Sequence, residues 1–348
     1  MCTRAHIPMR ILLLQLKRIG DLVLTSPAIA ALRTALPDAR IALAVDTGTA
    51  DLLPAIEGID EAIVFGKRRG WTPWQQVLTG RWDACLDFTG TDRSALASRL
   101  SRAPVRATFE WVRRKRLRAL AYTHFINSAV RERHTSDHYG DLLGALNVST
   151  AVEGPRLRIP PSARADADEL REPLDLAGFR YALLHPGSAR VEKYWLPERW
   201  AEVAAHLRSR GIGIVFTGKL EGYEGDHVEE IYAHLRRIPL LPMRYFPELP
   251  TLAALIADAI LVISTDTAVV HLAAAFQRPQ IALFGPTNPF HWRPRHEHAV
   301  VLSGAQSDAP LTQFDPRMKG APMERISVAV VCRAIDTLLA NDRVNPSR

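Results

Sequence analysis

Cysteine is scarce in these 348 residues: Cys2, Cys85 and Cys332 stand far apart, with no CxxC or other metal-ligand spacing. This excludes a disulfide-built scaffold and a thiolate zinc site. No apolar run approaches the roughly 18 residues of a membrane-spanning helix. The early stretch ILLLQL runs directly into Lys17, Arg18 and Asp21 without a small-residue cleavage site, which argues against a secretory signal. A cytoplasmic protein is expected. Two nucleotide-binding motifs are also missing. No GxGxxG follows the first strand pattern, which removes the main support for a nicotinamide or flavin site, and no GxxxxGK[ST] signals a P-loop.

What is present is an alternation of strand and helix. ILLLQL, a helix from about Ser26 to Leu36, RIALAV, a short helix near Asp51 to Ile56, EAIVF, and WDACLDF over Trp82–Phe88 have the rhythm of a parallel sheet covered by helices. The run EGPRLRIPPSARA, Glu153–Ala165, holds three prolines and is read as the link between two halves. The rhythm then returns: YALLHPG, a helix over Pro197–Arg210, GIVFTG, a helix near Asp226–Arg237, AILVIST, a helix over Thr267–Ala275, and QIALFGP. Length favours two domains. The expected fold is α/β, with residues 1–160 and 161–348 as two Rossmann-like domains facing across a cleft, ligands at the carboxyl ends of strands, and the last helix returning to the N-terminal half. The tail Asn341–Arg348 is expected to fray.

Net charge is +7, and between positions 93 and 118 nine basic residues, Arg93, Arg99, Arg102, Arg106, Arg113, Arg114, Lys115, Arg116 and Arg118, meet only Glu110. Such a field suits an anionic partner, whether nucleic acid, a membrane face or a phosphorylated substrate; it equally describes an amphipathic helix with a solvated basic face.

Three strand ends carry polar residues. After LVIS, Thr265-Asp266-Thr267 supplies cap-type residues before a helix whose first-turn amides, at Thr267, Ala268 and Val269, suit a diphosphate together with the Thr267 hydroxyl. Asp266 is either an N-cap or a partner for a sugar hydroxyl or a backbone amide, and His271 lies one turn on, either a ligand contact or a core histidine. HPGSARVEKYW offers Gly187, Ser188 and Lys193, the lysine either a point charge for phosphate oxygens or a solvated loop residue, while Trp195 and Trp200 read as core. LKRIGD places Lys17, Arg18, Gly20 and Asp21 where a strand hands over to a helix, the aspartate either a cap or a ligand contact. His134, Asp137, His138 and Tyr139 form a polar cluster, assigned nothing beyond acceptor contact.

K-R-I-G-D with T-S-P-A, H-P-G-S with K-Y-W-L-P-E-R-W, S-T-D-T-A-V-V-H-L-A-A-A, and A-L-F-G-P-T-N-P resemble the ADP-heptose:lipopolysaccharide heptosyltransferases, glycosyltransferase family 9, in order and spacing over nearly the whole chain. The resemblance implies a GT-B fold with the acceptor on the N-terminal domain and the nucleotide sugar mainly on the C-terminal one. It implies inverting transfer of L-glycero-D-manno-heptose from ADP-heptose to a lipid A-linked inner-core acceptor, with no metal and no cofactor beyond the donor. It places Asp21 as general base, Lys193 as phosphate lysine, and Asp266, Thr267 and His271 at the donor, and Gly187, Ser188, Thr217 and Ala268 are expected to line the same donor site. Ala268 stands where the family usually has glycine, and its methyl narrows the approach to the backbone. A related glycosyltransferase with another nucleotide sugar or a protein acceptor is the alternative.

A carboxylate facing an anomeric carbon from the side opposite the leaving diphosphate suits direct displacement, because the acceptor hydroxyl must lose a proton there. Gly20 is read as permitting a tight turn beside it. Lys17, Arg18, Arg93, Arg113, Arg114 and Arg116 suit an anionic acceptor, and the basic segment suits the anionic inner face of the inner membrane, with Trp111, Leu117 and Tyr122 as an apolar edge. No specific nucleic acid is expected, since a phosphate-gripping reading leaves the strand-end motifs unexplained.

Overall fold

The structure is a computed structural model that describes residues 8–149, 154–171, 180–219, 221–235 and 248–344, with side chains to position 340. Cys2, position 153 of the linker, positions 236 and 237 of the expected helix, and the tail from 345 lie outside these residues. The chain divides into two compact units, 1–158 and 159–348.

In the first unit the elements run β1 (Arg10–Gln15), α1 (Ile19–Ala35), β2 (Arg40–Asp46), β3 (Glu61–Phe65), α2 (Thr72–Thr79), β4 (Ala84–Asp87), α3 (Asp92–Ser101), β5 (Val105–Phe109), α4 (Arg116–Ala119), β6 (His124–Ile126) and α5 (Thr135–Asp141). The six strands are parallel in the order β3-β2-β1-β4-β5-β6. Leu12 of β1 sits between Ala42 and Cys85. Residues 11–15 are all buried, as a central parallel strand covered on both faces requires, which explains the unbroken apolar run. The order of strand addition reverses between β1 and β4, and that switch point is where such sheets open a crevice.

The second unit runs α6 (Pro161–Arg171), β7 (Tyr181–His185), α7 (Pro197–Ser209), β8 (Gly213–Phe216), α8 (Gly222–Leu235), α9 (Leu249–Asp258), β9 (Leu261–Thr265), α10 (Ala268–Ala275), β10 (Gln280–Phe284), β11 (Ala299–Ser303) and α11 (Val328–Val344). Its five parallel strands follow the order β11-β10-β9-β7-β8, so its switch point lies between β7 and β9. Trp195 and Trp200 are fully buried and meet edge to face at 5.4 Å, and the Trp195 indole donates to the Ile326 carbonyl at 2.9 Å.

Three expectations need correction. The first helix starts at Ile19 rather than near Ser26; Gly20 and Pro27 weaken the helical pattern there, yet the chain is helical through both. Gly20 is thus the second residue of α1, with no left-handed backbone and no tight turn to serve. The helix α6 begins at Pro161, inside the proline-rich link, because proline is tolerated in a first turn. The last helix, α11, buries Val330, Val331, Ala334, Ile335 and Leu338 in the core of its own unit.

Candidate active site

The N-terminal cluster forms at the carboxyl end of β1. There α1 opens without a side-chain cap from Arg18, and Asp21 falls in its first turn, where the helix dipole favours an anion. The half-buried Asp21 carboxylate accepts a very short hydrogen bond from the Tyr139 hydroxyl through Oδ1. Tyr139 comes from α5, is 1% exposed, and meets Phe88 edge to face at 5.7 Å. Lys17 places its ammonium 5.6 Å from the centre of the Tyr139 ring. Burial, with the Asp21 charge beside it, drives the Tyr139 phenol well above its ordinary range, so it remains a proton donor. His138 stacks on Phe109 at 3.8 Å and bonds the Ser128 hydroxyl at 2.8 Å; burial, reinforced by Lys17, lowers it to about 4, so it is neutral at physiological pH.

The basic stretch is not one helix. It runs through α3, β5, a 3₁₀ turn over Glu110–Arg114, and α4. Nor is it an open field of positive charge. Arg93 pairs with Asp46, Arg118 with Asp92 at 2.5 Å, Arg113 with Glu110 at 3.0 Å, and Arg106 donates to the carbonyls of Ala103 and Ala121. Asp46 is remote in sequence and Asp92 sits one residue before the counted run, which is why the sequence shows only Glu110. Arg114, Lys115 and Arg116 are exposed and have no carboxylate partner among the described residues. Beside them Arg113, Arg114 and Arg131 line a groove of about 670 Å³ with Trp111 and Asn127. Tyr122 is not part of an apolar edge: it is 6% exposed and donates to the buried Asp87 at 2.5 Å. Burial raises the Asp87 carboxyl above its ordinary range.

In the second unit the site gathers at the carboxyl ends of β9, β7 and β8. His185 at the end of β7 bonds Thr217 beyond β8 at 2.9 Å, and burial lowers this histidine to about 4. The Thr265 hydroxyl donates to the Gly187 carbonyl at 2.8 Å, fastening β9 to the loop after β7. That loop carries Lys193, whose Nζ lies 2.6 Å from Asp266 Oδ2 and 3.2 Å from the Asp266 carbonyl. Lys193 is therefore no solvated loop residue, and Asp266 is no N-cap. Thr267 holds the cap position of α10, accepting from the Val269 amide at 3.4 Å. That contact engages one of the three amides expected to hold diphosphate, while the Thr267 O–H can still donate. The Ala268 methyl opens α10, and His271 lies one turn in, 5% exposed, with its ring 6.5 Å from that of Trp292.

Ser188 accepts from the Arg190 amide at 3.3 Å, and its carbonyl accepts from the Tyr194 hydroxyl at 3.0 Å. Glu224 of α8 escaped the sequence reading. Its Oε1 accepts from the Lys219 amide at 3.1 Å and would stand 2.1 Å from a Cβ at position 187, so Gly187 is what lets this carboxylate reach the loop. Among the described residues no group of three or more His, Cys, Asp or Glu is arranged to hold a metal ion.

Two parallel α/β units, each gathering polar loops at its own switch point, make up a GT-B type fold. The glycosyltransferase family 9 (heptosyltransferase) profile matches residues 71–320. The chain belongs to that family and is a glycosyltransferase, as its motifs led us to expect. It is 26% identical over 341 residues to lipopolysaccharide heptosyltransferase 3 of Escherichia coli, spanning 94% of this chain and 98% of that protein. With lipopolysaccharide heptosyltransferase 1 of E. coli strain K12 it shares 25% identity over 298 residues, 81% and 89% of the two chains. The structure of a family 9 glycosyl transferase from Veillonella parvula DSM 2008 superposes with a TM-score of 0.79 at 25% identity, covering 96% of this chain and 97% of that one. E. coli ADP-heptose lps heptosyltransferase II, at 21% identity, has the same fold with a TM-score of 0.76 over 96% and 100% of the two chains.

Proposed function

We propose that the protein transfers L-glycero-D-manno-heptose from ADP-heptose to an inner-core lipopolysaccharide acceptor built on lipid A, with inversion at the anomeric carbon. The first unit, 1–158, takes the acceptor and the second, 159–348, the nucleotide sugar. In the reaction Asp21 removes the proton from the acceptor hydroxyl as its oxygen bonds to the anomeric carbon. The bond from that carbon to the diphosphate breaks, and ADP departs with the electron pair. Lys193 and the N-terminus of α10 offset the charge that develops on the diphosphate. The observation that carries this reading is the 2.6 Å Lys193–Asp266 pair, which holds an ammonium against a helix N-terminus at the switch point of a parallel sheet.

The test is a transfer assay with ADP-heptose against a panel of truncated lipopolysaccharide acceptors, read by mass. One added heptose on an inner-core acceptor is expected. Turnover of UDP-hexoses with ADP-heptose ignored would move the protein to another donor, the reading that the Ala268 methyl at the first position of α10 favours.

The lipid-linked acceptor places the enzyme on the anionic inner face of the inner membrane. No helix among the described residues is long and apolar enough to cross a membrane. A surface contact suits the region around α4, where Leu117 is 87% and Leu120 75% exposed beside Arg114, Lys115 and Arg116. The double substitution Leu117→Glu/Leu120→Glu is expected to weaken binding to phosphatidylglycerol-containing vesicles about tenfold or more. Turnover of a water-soluble, delipidated acceptor should not change. Vesicle sedimentation at two salt concentrations checks it, and unchanged partition would remove this surface.

A further inference from the structure

We propose that Tyr139 is the positioning residue of the general base, holding the Asp21 carboxylate in one rotamer with Oδ2 as its proton-accepting oxygen. The inference rests on the reading of Asp21 as that base. Three features of the site carry it. First, the phenol donates to Oδ1, and among the described residues Oδ2 accepts from no donor. Second, the donor is rigid. The Tyr139 ring is almost fully buried against Phe88 and Phe109, so the hydroxyl cannot follow a carboxylate that swings away. Third, the backbone carrying Asp21 is fastened separately, because the Thr25 hydroxyl donates to the Asp21 carbonyl at 2.8 Å and is itself held by the buried Gln15 amide at 2.8 Å. A carboxylate on a free helix turn would sample several rotamers; here one oxygen is engaged and the other is left for chemistry.

The experiment compares kcat and acceptor KM for wild type, Tyr139→Phe, Asp21→Asn and a protein with 4-fluorophenylalanine placed at position 139, which keeps the ring and its packing but has no hydroxyl to donate. Tyr139→Phe is expected to lower kcat about tenfold and to leave the acceptor KM within about twofold of wild type. Donor affinity measured by calorimetry should stay the same. The fluorinated ring should give the same split. A merely structural role would change KM or donor affinity along with kcat, and the fluorinated protein decides the matter if the phenylalanine variant does not fold. A wild-type kcat in both, with Asp21→Asn inactive, would overturn the positioning role while leaving the base intact. An Asp21→Asn protein with wild-type turnover would overturn the base reading, and the positioning role with it.

Discussion

Asp21→Asn is expected to lower the single-turnover rate by about 10²- to 10⁴-fold while nucleotide-sugar affinity and thermal midpoint stay at wild-type values. Asparagine keeps the shape of the side chain and an oxygen for the Tyr139 hydroxyl, so packing at the carboxyl end of β1 survives. What disappears is an acceptor able to take a proton. Because the residues proposed for the nucleotide sugar all lie in the other unit, binding and chemistry should separate in this variant. Calorimetric titration with ADP-heptose and rapid-quench assays, read together, check the separation. A rate within threefold of wild type would remove Asp21 from the mechanism.

Lys193→Ala should have the second largest effect, and through two routes. It withdraws the ammonium from the β7–β9 switch point, and it leaves the Asp266 carboxylate, whose side chain is 8% exposed, with no countercharge at the proposed diphosphate site. ADP affinity is expected to fall more than tenfold. Stability should drop by about 1–3 kcal/mol, the usual penalty for stranding a buried polar partner, discounted because Lys193 retains some solvent contact. Lys193→Ala/Asp266→Ala then recovers most of the stability and little of the affinity, since the repulsion is gone but the attraction is not restored. Denaturant unfolding and ADP titration on the four members of this cycle measure the coupling directly. Equal ADP affinity in all four would assign the pair to folding alone.

The central strands were legible in the sequence because their physics is local. Residues 11–14 and 261–263 are unbroken apolar runs that only a strand buried on both faces explains. Polar residues at their carboxyl ends marked the two loop clusters, and Trp195 and Trp200 were read as core and are core. The edges were harder. The strand β5 reads VRATF, with an arginine inside it, and β6 is three residues long, so neither carries a run that stands out from its loops. The pairings that define the sites were not legible at all. Tyr139 and Asp21 are 118 positions apart, and Lys193 and Asp266 are 73 apart. A sequence shows both members of such a pair without showing that they meet. Asp266 reads in the sequence as a cap or a sugar contact for this reason, since its countercharge, Lys193, stands on a different loop. Tyr139 did stand in the polar cluster from His134 onward, but only the packing of α5 on α1 gives that cluster its target.

The two sheets have different strand orders, β3-β2-β1-β4-β5-β6 in one and β11-β10-β9-β7-β8 in the other, and each has a switch point of its own over its own supporting core. If the proposed division of substrates holds, loop changes after β7 and β9 retune which activated sugar is accepted without disturbing the layers beneath β1, and the reverse holds for the acceptor. Diversification would then proceed one substrate at a time, and transplanting residues 159–348 should carry the nucleotide preference with them.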